Sequence, residues 1–198
     1  MHASLSFLRT LLIAALTLAF PIAGNAFPAL IPISELDSKL PTTDGSSESL
    51  SDYRGSVVLV HFFASWCGQC LLEAPSLERL YRSLKDDNFT VVGIAVDDTV
   101  PAARSLKRSL NLTFPVLVDT EKDLKRAFGV RGVPMTIALD TSGSMISFND
   151  PVNGDLTKKV MGPRAWDSTA ARESIRQLLT PSTGRDVARL STPLGVVF

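Results

Sequence analysis

Residues 57–70, VVLVHFFASWCGQC, decide the fold, because a long apolar run passes directly into two cysteines that stand three positions apart. The β-branched and aromatic residues of 56–64 predict a buried strand that is covered on both faces of a sheet. Beyond the cysteines, apolar side chains recur at helical spacing over 68–84, which predicts an amphipathic helix. Cys67 is therefore expected at the N-terminus of that helix.

The pair Cys67 and Cys70 is suited to thiol chemistry. The first turn of a helix has unpaired backbone amides, which favour an anion and bring a cysteine pKa from about 8.5 into a range of roughly 3.5 to 7.5. Cys70 lies on the same helical face, so it can attack a mixed disulfide formed by Cys67 and release the substrate. We therefore predict that Cys67 is the attacking thiolate and Cys70 the resolving thiol.

Two other uses of the cysteine pair follow from its spacing. Half of a zinc site is the first, but zinc takes four ligands, and the chain has no second CxxC pair and only His61 beyond its first few residues. A structural or idle pair is the second. We expect redox chemistry, with neither a metal nor a cofactor, because the pair stands where a strand gives way to a helix and because the N-terminal segment at 1–26 predicts export into an oxidising compartment.

Composition excludes several classes of protein. Of the 198 residues, 45% are apolar. Twenty are basic and twenty are acidic, and no run of five like charges occurs. A nucleic-acid partner is not expected, since such proteins carry a basic face that neutralises phosphates. The presence of only two cysteines also excludes a disulfide-rich scaffold.

The N-terminal segment, 1–26, predicts an export signal. Arg9 precedes an apolar run at 11–20, and the small residues of 22–26 predict cleavage after the last of them. An uncleaved membrane anchor is the alternative, but Pro21 interrupts the run, whereas a membrane span needs about 20 apolar residues. The mature protein is therefore expected in the periplasm or another compartment outside the cytoplasm.

The rest of the chain predicts one α/β domain over 27–180 and a flexible tail over 181–198, whose apolar end can alternatively dock on the domain or on a partner. A turn cluster at 43–47 lies within a weakly alternating segment, 33–53, which predicts a small hairpin. The other predicted strands are 90–96, 114–118, 135–139 and 144–148, and the other predicted helices are one capped by Thr99, a short one at 120–128 and a last one at 167–179.

Four stretches together resemble the thioredoxin superfamily, and within it the exported thiol-disulfide oxidoreductases of the TlpA/ResA type. The resemblance runs from about 33 to 180. It implies a thioredoxin-like three-layer sandwich with a central mixed sheet, an N-terminal hairpin extension and an extra helix inserted at 100–111. The four stretches are VVLVHFFASWCGQC at 57–70, Glu73-Ala74-Pro75, VGIAVD at 92–97 and GVPMT at 132–136.

The resemblance also assigns roles near the cysteines. The peptide between Val133 and Pro134 is expected to be cis and to face the cysteine pair, so that its backbone offers a strip for an extended substrate; by itself, a proline that opens a strand is merely tolerated there. Trp66 is expected to shield the sulfur and to form part of the docking surface, unless it is an ordinary packing residue. Gln69 departs from the family, in which proline is usual, so the redox potential of relatives does not transfer.

Glu73 and His61 are the candidate proton-handling residues. Glu73 follows Cys70 by one helical turn and resembles the glutamate that TlpA/ResA-type proteins place there; a carboxylate near the sulfurs can accept and return protons, and the alternative is a solvated helix residue. His61 stands where thioredoxin has a buried aspartate and many TlpA-type proteins have asparagine. It either shuttles a proton for Cys70 or serves only as a hydrogen-bonded core histidine.

Two further features are interpreted as structural. Asp97 and Asp98 end a strand and are expected to cap the following loop rather than to bind a metal. The stretch Pro163-Arg164-Ala165-Trp166 echoes one that precedes the last helix of TlpA-type proteins, and no catalytic part is assigned to it.

The predicted function is that of an exported, monomeric reductase of disulfides in protein substrates. The resemblance implies a membrane thiol donor of the DsbD/CcdA type, and substrates that include the cysteines of apocytochrome c. A thiol oxidase with the same residues and a non-catalytic thioredoxin-fold binding module or chaperone are the alternatives. A thiol peroxidase is disfavoured, because Val60 and Ala64 stand where such enzymes need proline and threonine or serine.

Overall fold

The computed structural model describes residues 36–97 and 99–180. The predicted export signal at 1–26, the predicted tail at 181–198 and Asp98 lie outside these residues. Within the described part, no helix is both long enough and apolar enough to cross a membrane.

Strands and helices alternate through the middle of the described chain, between a hairpin at its start and a run of short strands near its end. The strands are β1 (Leu40–Pro41), β2 (Ser47–Glu48), β3 (Val57–Phe63), β4 (Phe89–Ala95), β5 (Val116–Val118), β6 (Met135–Leu139), β7 (Met145–Ile146), β8 (Phe148–Asn149), β9 (Leu156–Thr157) and β10 (Val160–Met161). The α-helices are α1 (Gly68–Leu84), α2 (Val100–Ser109), α3 (Asp123–Ala127) and α4 (Thr169–Leu179), and Leu50–Tyr53 forms a 3-10 turn.

The central sheet has the strand order β10-β6-β3-β4-β5, with β7 also paired to β6. β3, β4 and β5 run parallel, whereas β6 pairs with β3 in the antiparallel sense, which confirms a mixed sheet. Every residue of β3 is buried, as expected for a strand that is covered on both faces. The register places His61 beside Gly93 of β4 and beside Thr136 of β6.

Both additions to the core that the resemblance implies are present. β1 and β2 form an antiparallel N-terminal hairpin, and a bridge between Thr42 and Leu117 joins this hairpin to β5. α2 is the helix inserted between β4 and β5, and the Thr99 hydroxyl caps it by accepting the amide N–H of Ala102 at 3.4 Å. α1 continues through Pro75 to Leu84.

The strand and the short helix that follow α2 begin later than expected. The strand predicted from residue 114 begins at Val116, since Pro115 has no N–H to contribute to a ladder. The short helix predicted from residue 120 begins at Asp123, because Lys122 takes a left-handed φ of 63° that a continuous helix does not permit.

The C-terminal edge of the sheet differs most from the prediction. The strand predicted at 144–148 is divided, because β7 pairs with β6 whereas β8 pairs with β9 as a separate hairpin. β10 then returns to the first residues of β6, with Val160 opposite Thr136. Strands of two residues, such as β9 and β10, are too short to give a periodic sequence pattern.

Candidate active site

The two cysteines occupy the first turn of α1. Cys67 is the N-cap of this helix, with an extended backbone, and its sulfur accepts the amide N–H of Cys70 at 3.2 Å. The two residues are joined by a disulfide, with their Cα atoms 5.3 Å apart. Cys67 is 7% exposed and Cys70 is 2% exposed, so the first residue is the more exposed of the two. The predicted placement of Cys67 at the helix N-terminus is confirmed.

A cis peptide between Val133 and Pro134 faces the disulfide, as the resemblance implies. The Cys67 sulfur lies 3.6 Å from the carbonyl oxygen of Val133. This peptide directly precedes β6, so the central sheet fixes its position relative to α1.

The loop between β3 and α1 is fixed by Asp97. The buried carboxylate of Asp97 accepts the Ser65 amide N–H at 3.0 and 3.1 Å, and it also accepts the Ser65 hydroxyl. Asp97 was expected to cap the loop that follows its own strand, whereas it holds the loop that follows β3. The next residue, Trp66, is 73% exposed beside Cys67, which is not the position of a packing residue.

His61 and Glu73 meet in the buried layer between β3 and α1. His61 Nε2 lies 3.1 Å from Glu73 Oε1, and both side chains are almost fully buried. On the other side of the ring, His61 Nδ1 lies 3.0 Å from the hydroxyl of Thr136. The Nε2 and Oε1 atoms are close enough for a hydrogen bond but are not aligned for one, and neither has another partner within the described residues. Glu73 is therefore not the solvated helix residue that was the alternative.

The segment before α4 completes the environment of Glu73. The amide N–H of Arg164 donates to Glu73 Oε2 at 2.7 Å, and the Ser76 hydroxyl ties the same segment to α1 by donating to the Arg164 carbonyl at 3.2 Å. Trp166 is fully buried, and its indole, like the Arg164 amide, opposes the rise in the pKa of Glu73. These contacts join residues about ninety positions apart, so no local pattern predicts them, and only the resemblance of this stretch pointed to it.

Burial controls the charge of the His61–Glu73 pair. Burial raises the pKa of Glu73 to about 7, although the hydrogen bond from Arg164 opposes this shift. Burial also lowers the pKa of His61 to about 3, so the imidazole is neutral at physiological pH. A neutral imidazole has one donor and one acceptor nitrogen. If Nδ1 donates to Thr136, then Nε2 is the unprotonated nitrogen, and it lies on the side of the ring nearest to Glu73.

This arrangement defines a class of protein. A disulfide whose first cysteine caps a helix, set against a cis-proline peptide on a mixed sheet, is the site of a thioredoxin-fold thiol-disulfide oxidoreductase. Residues 35–147 match the AhpC/TSA family, and because this match spans more than half of the chain, the chain belongs to that family.

Individual relatives agree with this class. The chain is 27% identical over 161 residues to the thiol-disulfide oxidoreductase ResA of Bacillus subtilis, covering 78% of this chain and 88% of that protein. It is 33% identical over 128 residues to the thioredoxin-like protein YneN of the same species, covering 63% of this chain and 72% of the relative. A solved thiol:disulfide interchange protein of the thioredoxin family from Chlorobium tepidum TLS aligns with a TM-score of 0.58 at 26% identity, over 72% of this chain and 93% of the other.

The protein is thus an enzyme, a thiol-disulfide oxidoreductase of the ResA/DsbE type with the pair Cys67 and Cys70. This class of enzyme acts on protein substrates that contain disulfides.

Proposed function

We propose that this protein is an exported reductase in which Cys67 attacks disulfides of protein substrates and Cys70 resolves the mixed disulfide. The observation that carries the proposal is the position of the Cys67 sulfur at the start of α1, 3.6 Å from the carbonyl oxygen of Val133. An extended substrate lying along Val133 and Pro134 would present its own sulfur to Cys67. The exposed ring of Trp66 supplies an apolar contact beside it.

The proposed reaction transfers two electrons to the substrate. The Cys67 thiolate of the reduced enzyme attacks one substrate sulfur, and the other substrate sulfur leaves as a thiolate that takes up a proton. Cys70 then gives up its proton and attacks the Cys67 sulfur of the mixed disulfide. The second substrate thiolate leaves and is protonated in turn, while the Cys67–Cys70 disulfide forms.

Glu73 is proposed as the proton acceptor for Cys70. It lies one helical turn after Cys70, and a pKa of about 7 lets it both take and return a proton near neutral pH. His61 is proposed as the residue that favours the protonated form of Glu73, because a neutral imidazole with Nε2 3.1 Å from Glu73 Oε1 gives the carboxylate no positive charge and can accept the acid O–H after a small rotation of either side chain. His61 thus acts through Glu73 and is a positioning residue.

The rate at which Cys70 resolves a mixed disulfide tests this proton path. Because Glu73 accepts a proton only when ionised, the rate should rise with pH to an inflection near 7. Glu73→Gln should remove this inflection and slow resolution by about 100-fold. His61→Asn should shift the inflection to lower pH, since an amide donates to the carboxylate instead of accepting from the acid. Glu78→Gln, on the same helix, is the matched control and should keep the inflection; loss of the inflection in this control would contradict the role of Glu73.

Export, the electron donor and the physiological substrate belong to the same proposal. The predicted signal at 1–26 supports a location outside the cytoplasm, where a reductase needs electrons from a membrane protein because other catalysts keep that compartment oxidising. A thiol donor of the DsbD/CcdA type and apocytochrome c as substrate are what the TlpA/ResA resemblance suggests. We propose that the protein acts there as a monomer, with the domain at 27–180 as its working part.

Trapping covalent partners in the native host tests the function. In Cys70→Ser, the mixed disulfide on Cys67 cannot be resolved, so substrates and the donor should stay attached and be identified by mass spectrometry. Cys67→Ser is the matched control and should retain few adducts. Recovery of a membrane thiol donor together with apocytochrome c is the expected result. An unrelated set of secreted proteins would contradict the role in cytochrome assembly, and the absence of any adduct on folded protein would favour a non-catalytic binding module.

A further inference from the structure

A cleft of about 820 Å³ lies at the end of the sheet opposite to the disulfide. Cys67 follows the C-terminal end of β3, whereas the cleft is lined by Arg82, near the end of α1, and by Thr113, which precedes β5. The cleft therefore lies at the edge of the sheet where the parallel strands β3, β4 and β5 begin, and the disulfide lies at the edge where they end. The helix α1 runs from the disulfide to the cleft. The cleft shares no residue with the disulfide site, and its volume is in the usual range for small-molecule sites, roughly 300 to 1,000 Å³.

Positive charge is concentrated around this cleft. Four cationic residues line it, and Asp44 is the one acidic residue among the lining residues. The whole chain, by contrast, has equal numbers of basic and acidic residues. Folding therefore gathers charges that the sequence keeps on separate helices. The four cationic residues are Arg82 on α1 and Arg104, Lys107 and Arg108 on α2.

Only part of this charge is neutralised within the described residues. Lys107 pairs with Asp44 at 2.7 Å, and Arg82 pairs with Glu78 at 2.5 Å. Arg104 and Arg108 form no ion pair with any described residue. They stand four positions apart on α2, so their side chains leave the same face of the helix.

Arg104 is also held in place for binding. Its Nε donates to the carbonyl oxygen of Thr43 at 2.6 Å, which fixes the guanidinium and leaves four N–H donors free of the bond to Thr43. A guanidinium that is fixed in this way loses little freedom when it binds a planar or tetrahedral oxyanion in bidentate fashion.

The Thr43 hydroxyl is a second, independent observation that points to a ligand. This residue lines the cleft, only 2% of it is exposed, and its hydroxyl has no hydrogen-bond partner in the described part of the chain. Its backbone is fully engaged, since the amide donates to Val116 at 3.1 Å and the carbonyl accepts from Arg104. A buried hydroxyl without a partner costs free energy unless something binds to it.

We propose that this cleft binds a small molecule that carries at least two oxyanion groups, phosphate or carboxylate. Arg104 and Arg108 each bind one group, and the Thr43 hydroxyl donates a further hydrogen bond. The site is independent of the proposed disulfide reduction, because it uses no residue of the disulfide site.

Titration calorimetry of the full, oxidised chain tests the proposal, with pyrophosphate as the phosphate probe and tricarballylate as the carboxylate probe at equal ionic strength. We expect saturable binding in the millimolar range or below for at least one probe, and the tighter probe identifies the chemical source. Arg108→Gln, at an exposed side chain, should weaken binding about tenfold, and the double variant with Arg104→Gln should weaken it further.

Two more variants distinguish a specific binding site from nonspecific electrostatic attraction of the anion. Thr43→Val keeps the shape of the side chain and should weaken binding severalfold without lowering thermal stability, because the lost hydroxyl has no partner in the free protein. Arg176→Gln makes the same change of charge at an exposed position of α4 and should leave binding unchanged. Absence of saturable binding by both probes, or an equal loss of affinity in Arg176→Gln and Arg108→Gln, would overturn the proposal.

Discussion

Two glutamates on α1, five positions apart, differ in the hydrogen bonds that their carboxylates accept and in the direction of their pKa shifts. Both Glu73, beside the disulfide, and Glu78, behind the basic cleft, are buried. Burial raises the pKa of Glu73 to about 7. Burial also raises the pKa of Glu78, but hydrogen bonds from Thr113 and Arg82 outweigh this and hold the pKa of Glu78 below its ordinary value.

The number of donors accounts for the difference between the two carboxylates. Glu78 accepts the amide and the hydroxyl of Thr113 at 2.8 and 2.6 Å, and Arg82 at 2.5 Å. Glu73 accepts one amide N–H, from Arg164, and faces a neutral imidazole on its other oxygen. The guanidinium of Arg164 is occupied by Asp150, through bonds of 2.8 and 2.7 Å. Glu73 therefore has fewer donors than Glu78 to stabilise its ionised form, which is why the two pKa values shift in opposite directions.

The largest effect expected at the disulfide end comes from Cys67→Ser. Without the attacking sulfur, reduction of a protein disulfide should fall to the uncatalysed rate, as measured by turnover with an excess of a small dithiol. Binding of oxyanions in the cleft should be unchanged, since no residue is shared. Residual turnover through Cys70 alone would show that the two cysteines are interchangeable.

The two glutamates should give opposite dependences of stability on pH. Between pH 4.5 and about 7 the unfolded chain loses the Glu73 proton while the folded chain keeps it, so Glu73 makes the free energy of unfolding fall as pH rises. Relative to wild type, Glu73→Gln should therefore gain about 3 kcal/mol between pH 4.5 and pH 8. Urea unfolding of the oxidised protein measures this difference.

For Glu78 the sign is reversed. The folded pKa lies below the unfolded value, so the stability it contributes is present above pH 4.5 and is lost as the pH falls through the folded pKa. Glu78→Gln should therefore be less stable than wild type at neutral pH, and this deficit should shrink in acid. Parallel pH profiles for the two variants would contradict the contrast between the two glutamates.

Substitution of Gly93 tests whether the disulfide site and the cleft rest on the same hydrophobic core. A Cβ at this position of β4 would lie 2.9 Å from Phe63 and 3.1 Å from Phe114. Gly93→Ala should therefore lower the free energy of unfolding by about 1–3 kcal/mol, as an overpacked core does. The folded fraction should keep both turnover and oxyanion binding. Loss of one activity with unchanged stability would show that the strand affects that end alone.

The smallest of these effects is expected for the surface at the disulfide end. Trp66→Ala should lower kcat/KM for a protein substrate about tenfold, because a large exposed aromatic contact is lost, and should leave reduction of a small disulfide unchanged. Leu156→Ala, at a side chain 72% exposed on β9, is the matched control and should change neither rate. An equal effect of Trp66→Ala on both substrates would mean that the ring acts on the sulfur rather than on docking.

Local sequence patterns predicted the strands and helices that have a clear hydrophobic periodicity and a marked start. The apolar run at 56–64 predicted β3, and the cysteine that follows predicted the start of α1, because strand and helix periodicity are local properties. The cis peptide at Pro134 followed from the family resemblance and from no local signal.

Contacts between distant parts of the chain escaped prediction. Thr136 reaches His61 only through the register of β6 against β3, and Arg164 reaches Glu73 from 91 positions away. The cationic cleft escaped for the same reason, since Arg82 and Arg108 come together only when α1 and α2 pack beside the hairpin. The pattern of charges in a sequence shows only which residues are close along the chain. The His61–Glu73 pair and the cationic cleft depend on residues that are close only in the folded protein.

The central claim, that the place of Cys67 at the helix N-terminus makes it the attacking sulfur, is tested most directly by alkylation rates. Reduced Cys70→Ser and Cys67→Ser each carry one thiol, and iodoacetamide modification at pH 7 reports its thiolate character and accessibility. We expect Cys67 to react at least about tenfold faster than Cys70. Equal rates, or faster modification of Cys70, would contradict the account.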